Sequence, residues 1–519
     1  MTGTSPRVWS WPRVRCSRHQ EVAMVANVYT GEQIRAAEQP LLEAGRGLTL
    51  MRRAAYGLAH HIAALHRLER GSGIYGTQIT ALIGPGNNGG DGLWALAQLA
   101  RRGASVSAVL TRSRAHPEAL QAFRAAGGRE VERVPSRTQV LVDAVVGTGF
   151  RGEFRRPEVP GLEILDDDAA SRPLVVACDL PSGVNADTGA AGDGVLAADH
   201  TVTFGGLKLG LLAGRGGTLS GTVHTVRIGV EEHLPKTLVQ LTTAQQVAAV
   251  NPPKPSDHKY SRGVLHVVAG SSAFPGAAVL TAGAAVCTGV GMVTLHAPAA
   301  VRSQVLSTYP EVVGAPAPGG GAEMSACDGV VIGPGLGQEQ WRLAEAESVL
   351  ERALDSGAAC VLDASGLQLI RDQLHRRGGL NKNVLITPHL GEARRIARML
   401  RDRVLTGMLE TDSAAADPVE ATRRLAGKLD CSVLLKGTTT VIASPQGEVV
   451  LHRAQAPGLA TAGTGDVLTG ILGALCVTQE RNWLAVAPRA VSMHTRAAHR
   501  IDPAGQGRFG ASALIGALG

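Results

Sequence analysis

From Ile34 to Leu68, small and apolar residues recur at helical spacing with charged residues such as Arg52 and Arg53 between them, which predicts helices packed beside a sheet. The next apolar run, Ile79–Ile83, has the length of a strand and enters the glycine-rich segment GPGNNGGDG, after which Leu93–Arg102 reads as a helix. Strand, loop and helix make a first βα unit. Further apolar runs at Val106–Leu110, Val140–Val146, Leu174–Leu180, Val202–Phe204 and Val223–Val230 are separated by segments mostly long enough for crossover connections. That pattern predicts a largely parallel, doubly wound sheet.

The run Asn251, Pro252, Pro253, Lys254, Pro255 interrupts helical and strand patterning alike, so a domain boundary is expected between Val230 and Asp257. A second series of apolar runs follows at Val264–Ala269, Val293–His296, Gly329–Ile332, Cys360–Leu362, Val384–Ile386, Val433–Leu435 and Val441–Ala443. This is again an α/β pattern, but its motifs do not repeat those of the first half, which argues for a fusion of different units over a duplication. The expected division is a tail over residues 1–24, a first domain over 25–235 and a second over 236–519.

At 519 residues the chain exceeds the size at which one hydrophobic core keeps growing. Aromatics make up only 3% against 44% hydrophobic residues, and glycine reaches 65, so the interior must be built from Ala, Val and Leu around glycine-rich turns. The net charge of +7 does not single out nucleic acid, because Lys and Arg are scattered and stacking aromatics are few; an anionic small molecule fits the surplus equally well. Cysteines stand singly, seven in all and without a CxxC pair, which argues against a disulfide framework and a zinc site and for a cytoplasmic location. No apolar run has the length of a membrane span. The first residues, with Arg7, Arg13, Arg15 and Arg18 interleaved with Trp9 and Trp11, lack the apolar core of a secretory signal and read as a disordered tail.

The loop Gly84–Gly92 lies where a strand hands over to a helix, so its backbone can approach phosphate and a helix N-terminus can offer unpaired N–H groups. A tight connection is the bland alternative. Asp143 and Asp179 each fall near the end of a predicted strand, where carboxylates of a parallel sheet point into the ligand crevice; either could instead cap the turn that follows. The motifs NNGGDG, DAVVGTGFRGE, DLPSGVNADTG and TVTFGGLKLGL, in this order over Val25–Val230, resemble the NAD(P)H-hydrate epimerases. The resemblance implies a Rossmann-like three-layer α/β/α domain. By it, Asn87, Asn88, Gly89, Gly90 and Asp91 hold the hydrated dinucleotide together with Gly147, Thr148, Gly149, Phe150, Arg151, Gly152 and Glu153, Asp179 contacts the reacting part, and Asn88, Asp143 and Ser182 coordinate potassium. Amide, carboxylate and hydroxyl oxygens are the hard ligands an alkali cation requires. In the hydrated nicotinamide the hydroxyl sits on a carbon bonded to ring nitrogen, whose lone pair helps open or ionise that centre while a carboxylate such as Asp179 shuttles the proton.

In the second half the strongest signal is AGTGDVLTG, a glycine-rich turn opening a helix with Asp466 at its start. The helix N-terminus can stabilise a transferring phosphoryl group while Asp466 accepts a proton, or Asp466 simply caps a buried helix. The loops IGPGLG, TPHLGE and KGTTT each follow an apolar strand; His389 and Lys436, taken singly, are a packed histidine and a surface charge as readily as ligands. With HKYSRG and GSSAFPGAAVL they resemble the ribokinase-like NAD(P)H-hydrate dehydratases from His258 to Leu518. The resemblance implies that Ala277, Gly335, His389 and Asp466 contact the hydrated cofactor, and that Lys436, Gly437, Thr438, Thr439, Thr440 and Gly465 contact the nucleotide, ADP rather than ATP, with magnesium as the charge-neutralising ion. Ser365, in LDASGL, stands where the family often has Asp.

The combined expectation is an enzyme that repairs hydrated NADH and NADPH, by interconverting the R and S epimers and dehydrating the S form with ADP, giving AMP and phosphate. Phosphorylation turns a poor leaving group, hydroxide, into phosphate. Its partners would be those hydrates, NADHX and NADPHX, and ADP, with no nucleic acid or membrane and with a homo-oligomer, a tetramer or larger, as the assembly. The rival is a ribokinase-like small-molecule kinase with a non-catalytic N-terminal binding module.

Overall fold

The computed structural model describes residues 26–166, 172–242, 252–315, 327–411, 413–479 and 481–518; the tail expected over residues 1–24 lies outside them. The first half runs β1 (Ala26–Tyr29), α1 (Gly31–Glu43), α2 (Gly47–Arg70), β2 (Gln78–Ile83), α3 (Asn87–Arg101), β3 (Ser105–Leu110), α4 (Pro117–Ala125), β4 (Arg129–Glu130), β5 (Val140–Ala144), β6 (Leu174–Cys178), β7 (His200–Phe204), β8 (Leu207–Lys208), α5 (Gly214–Leu219) and β9 (Thr222–Val226). Seven strands in the order β4-β3-β2-β5-β6-β7-β9 form a wholly parallel sheet. One face is covered by α2 and α3, whose Leu58, Ile62, Leu93 and Leu96 pack on Ile79, Ala81, Val140 and Val142. The chain winds outward from β2 through β3 to β4 and then returns to β5 on the other side of β2, so a topological switch opens between the carboxyl ends of β2 and β5.

The second half comprises β10 (Val239–Thr242), β11 (Val264–Val268), α6 (Pro275–Thr288), β12 (Met292–His296), α7 (Ala299–Thr308), β13 (Val313–Gly314), β14 (Gly329–Ile332), α8 (Gln340–Ser356), β15 (Ala359–Leu362), α9 (Ile370–Arg377), β16 (Val384–Ile386), α10 (Leu390–Met399), α11 (Arg403–Met408), α12 (Pro418–Leu429), β17 (Ser432–Leu435), β18 (Thr439–Ala443), β19 (Val449–Arg453), α13 (Thr464–Thr478), α14 (Trp483–Ile501) and α15 (Ala511–Gly516). Strands β13 to β17 are parallel and β17-β18-β19 antiparallel. Helix α13 is buried through Val467, Ile471, Leu472 and Leu475, in the layer it shares with α6 and α14. The sheet then continues beyond β19 through β10, β1 and β8, so strands from the first half complete its edge. Val28, Leu209 and Leu212 share one core with Val441 and Leu451.

Three boundaries beside the first cleft differ from the sequence reading. Helix α3 starts at Asn87 instead of Leu93, so NNGGDG is helix rather than loop. A Cβ at Gly89 would lie 2.0 Å from the Gly84 carbonyl oxygen and one at Gly92 2.7 Å from the Ala144 Cβ, so glycine serves the packing of the first turns on β5 despite its poor helix propensity. Strands β5 and β6 end at Ala144 and Cys178, which frees the residues that follow to turn into the crevice.

Candidate active sites

At the switch point of the first sheet, the N-terminus of α3 has no side-chain cap, and Pro85, Gly86 and Asn87 are exposed before it. An added Cβ at Gly84 would fall 1.8 Å from the Val145 carbonyl oxygen, whereas Gly86 meets nothing within 4 Å. The first glycine therefore locks the loop to β5 and the second leaves the uncapped N–H groups open to an anion.

Asp179 follows β6 with φ 69°, a left-handed conformation that turns its side chain back toward β7 and β8. It is 8% exposed and Lys208 1%. Lys208 Nζ donates to Asp179 Oδ1 at 2.7 Å, to Thr203 Oγ1 at 2.8 Å and to the Phe204 carbonyl at 2.9 Å. Thr203 Oγ1 and the Phe204 N–H also donate to Oδ1, at 3.1 and 3.2 Å, and Thr148 Oγ1 donates to Oδ2. Burial pushes the Asp179 carboxyl up, but the Lys208 ammonium and these hydrogen bonds prevail and hold it below the usual carboxylate range. The sequence reading missed Lys208, although it lies within TVTFGGLKLGL; a lysine at the end of an apolar run was the available signal.

Asp143 lies at the end of β5, 2% exposed, and accepts from the Ser182 N–H at 2.7 Å and Ser182 Oγ at 2.6 Å. Burial raises its carboxyl against those bonds, and it has no ion pair among the described residues. Asn88 Nδ2 is buried without a partner, and Asn88 Oδ1 lies 3.0 Å from a Cβ placed at Gly147. The three expected potassium ligands thus converge on the end of β5. Of the 147–153 loop, Gly147 and Thr148 reach the centre; Gly149, Arg151, Gly152 and Glu153 face solvent, with Arg151 paired to Asp187 at 3.2 Å and Phe150 edge-on to Phe154. Asp91, on α3, is half-buried, with its Oδ1 atom buried and unpartnered.

In the second half, Asp466 enters α13 one turn after Gly463, an N-cap with φ 88°. Burial first, and then the neighbouring Asp363, raise its carboxyl to about 7 against the opposing Lys436. Asp363 follows β15, is 2% exposed, and accepts from Lys436 Nζ at 2.7 Å and Thr469 Oγ1 at 2.8 Å. It too was missed, though LDASGL ends a strand in a carboxylate just as β5 does; attention fell on Ser365, which sits in the 3-10 turn behind it. Gly335, with φ 62°, would place a Cβ 2.6 Å from that of Ala277, so these two expected ligands adjoin across the ends of β11 and β14.

His389 caps α10, Nδ1 accepting from the Gly391 and Glu392 N–H groups, and its backbone bridges to Lys436. Cap and neighbour of the site are thus one residue. The KGTTT run divides: Lys436 turns to Asp363, Gly437 and Thr438 are exposed, Thr439 Oγ1 donates to the Leu212 carbonyl of the first half at 2.5 Å, and Thr440 is buried in β18. Gly465 lies over Lys436, its added Cβ 3.6 Å from Nζ.

Two α/β halves built on parallel strands, each with buried carboxylates at strand ends beside an uncapped helix N-terminus, define an enzyme with two sites. Residues 47–210 match the family described as YjeF-related protein N-terminus, and residues 265–508 match NAD(P)H-hydrate dehydratase. The bifunctional NAD(P)H-hydrate repair enzyme Nnr of Mycobacterium tuberculosis (strain CDC 1551 / Oshkosh) is 42% identical over 450 residues, 86% of this chain and 88% of that one. The protein of the same description from Escherichia coli (strain K12) is 34% identical over 409 residues, 76% of this chain and 75% of that one. A solved ADP/ATP-dependent NAD(P)H-hydrate dehydratase from Bacillus subtilis is 25% identical and covers 53% of this chain and 93% of its own, with a TM-score of 0.44. The chain belongs to the bifunctional NAD(P)H-hydrate repair enzymes.

Proposed function

We propose that the first cleft epimerises the R and S hydrates of NADH and NADPH and that the second dehydrates the S form, phosphorylating its hydroxyl with ADP and releasing AMP and phosphate. The observation that carries the reading is the Asp363–Lys436 pair beside Asp466. It leaves Asp466 a carboxylate near neutral titration at a helix N-terminus, suited to take the proton of an attacking hydroxyl. The N–H groups of α13 then face the transferring phosphoryl, and ring nitrogen assists departure of phosphate. Gly335, Ala277 and His389 line the hydrate side, and Lys436 to Thr438 with Gly465 the nucleotide side. Magnesium supplies charge neutralisation on the nucleotide phosphates.

In the first cleft, Asp179 is held as an anion and stabilises the positive charge that develops on ring nitrogen as the hydroxyl-bearing carbon ionises. A potassium ion fits beside Asp143, a buried carboxylate without a cationic partner among the described residues, with the Asn88 Oδ1 and the Ser182 hydroxyl as the further oxygen ligands; when bound it would order the phosphate-side loops. No helix of the described residues is long and apolar enough to cross a membrane, and a cytoplasmic location suits these substrates.

The test is to mix the protein with both epimers of hydrated NADH, ADP, magnesium and potassium, and to follow the near-ultraviolet absorbance of the dihydronicotinamide. Full recovery faster than spontaneous epimerisation is expected. Recovery of only the S fraction removes the first activity, and a stable phosphorylated product without dihydronicotinamide makes the second half a kinase.

A further inference from the structure

Asp179 is well suited to hold charge and poorly suited to move a proton. Its Oδ1 accepts from Lys208, Thr203 and the Phe204 N–H, and its Oδ2 from Thr148. Yet a hydroxyl bound to carbon departs as water only if something protonates it.

Helix α1 lies over this cleft. Gly31, Arg35 and Glu38 are spaced four and then three residues apart and so share one helical face. A Cβ at Gly31 would sit 2.8 Å from Thr148 Cγ2, and Arg35 Nη1 donates to the Thr148 carbonyl at 2.8 Å. Ile34, beside that face, would meet a Cβ at Gly206 at 2.7 Å, in the turn between β7 and β8 that leads into Lys208. Helix α1 is thereby wedged between the two segments that hold Asp179, and Glu38 follows on the same face, half-buried, with no hydrogen bond or ion pair among the described residues.

We propose that Glu38 is the proton-transfer group of the epimerase cleft, working as acid and base on the substrate hydroxyl while Asp179 remains ionised. The charged groups around it are Asp179 after β6, Lys208 on β8, Arg35 on its own helix and Asp91 on α3. Burial first, and then Asp179, raise the Glu38 carboxyl, with Lys208 and Arg35 opposing. Burial, Asp179 and Glu38 likewise keep Asp91 well above the carboxylate range. One carboxyl is held below its ordinary range and its neighbour above it, the division of labour that acid–base sites use.

In the step, the Glu38 carboxyl gives its proton to the hydroxyl oxygen, the carbon–oxygen bond breaks, water leaves and the ring-nitrogen lone pair forms a carbon–nitrogen double bond. Water adds to the opposite face, its oxygen forming the new bond and its proton passing to solvent, which reprotonates Glu38. In the reverse direction the Glu38 carboxylate takes the proton of water adding on its own face.

This inference rests on the epimerase reading, and the experiment separates the two. Epimerisation of R-hydrated NADH is followed across the neutral pH range for the full-length wild type, Glu38→Gln and Glu38→Asp, with dehydration of the S form as a parallel readout. The Gln variant should lose about 100-fold or more in epimerisation, lose the wild-type decline at rising pH, and keep its KM and its dehydratase rate, while the Asp variant recovers part of the loss. A Gln variant within about two-fold of wild type, or Gln and Asp variants impaired alike with an unchanged pH profile, overturns the role of Glu38. A wild type that does not epimerise at all overturns the reading beneath it.

Discussion

Each cleft sets a lysine, buried in the first and half-buried in the second, against strand-end carboxylates, and the two reach opposite electrostatic outcomes. In the first, Lys208 is spent on Asp179 itself and keeps it ionised. In the second, Lys436 pairs with Asp363, and Asp466, raised first by burial and then by that neighbouring anion, lies at about 7. Where the lysine lands decides whether the nearby carboxylate stabilises charge or carries a proton. One site needs a positive ring held near an anion; the other needs a hydroxyl deprotonated before it attacks phosphorus.

The largest expected effect comes from breaking the first arrangement. Lys208→Met leaves Asp179 buried without its cation, so epimerisation should fall by more than about 1,000-fold and the protein should lose about 3 kcal/mol or more of stability, as for other broken buried pairs. Kinetics on R-hydrated NADH and thermal unfolding check this; an unfolding midpoint equal to wild type would mean that the pair is not what keeps Asp179 charged. Dehydration of the S form should persist, since the partners of the Lys208 ammonium, Asp179, Thr203 and Phe204, all belong to the first half.

The second arrangement is broken by Asp466→Asn, which should reduce dehydration by about 100-fold to 10,000-fold with epimerisation intact. Because Asp466 must be ionised to accept a proton and its carboxyl lies at about 7, the wild-type dehydration rate should rise with pH through neutrality and fall below it. A rate independent of pH from 6 to 8, within about two-fold, would remove Asp466 from the role of base.

Sharpening the comparison requires altering the neighbour and sparing the base. Asp363→Asn removes the anion that raises Asp466, so the acid limb of the dehydration profile should move to lower pH by about one unit, an ordinary size for the loss of one nearby charge. A limb that stays put would leave burial as the whole cause of the raised Asp466.

Much of this was legible in the sequence. The parallel strands of both halves follow from the apolar runs, and Asp143 and Asp179 were marked by their place at strand ends, whereas the grouping of Asn88 and Ser182 with Asp143 came only with the family resemblance. What escaped notice were residues whose role depends on a distant partner. Lys208 acts through Asp179, 29 positions away, and Asp363 through Lys436, 73 positions away. Glu38 belongs to a helix that periodicity marks only as amphipathic. Strands β1, β10 and β19 were missed, and the run Ala26–Tyr29 gains meaning only once β10, distant in sequence, lies beside it.

Those three strands set up the smallest expected effect, which concerns what joins the clefts. From Lys208 the chain runs through Leu209 and Leu212, both in the core of the second half, to the Leu212 carbonyl that accepts from Thr439. Arg453 adds hydrogen bonds to the Gly217 and Gly221 carbonyls. With sheet and core shared, the two halves should unfold in one transition. Thr439→Val leaves the Leu212 carbonyl without its donor and should cost about 1 kcal/mol, lowering the midpoint slightly while both activities stay within about two-fold of wild type. Two separated transitions in the wild type would show that the edge strands tether the halves without coupling them; a large loss of dehydration in the valine variant would assign the Thr439 hydroxyl to the nucleotide after all, as the family resemblance implies.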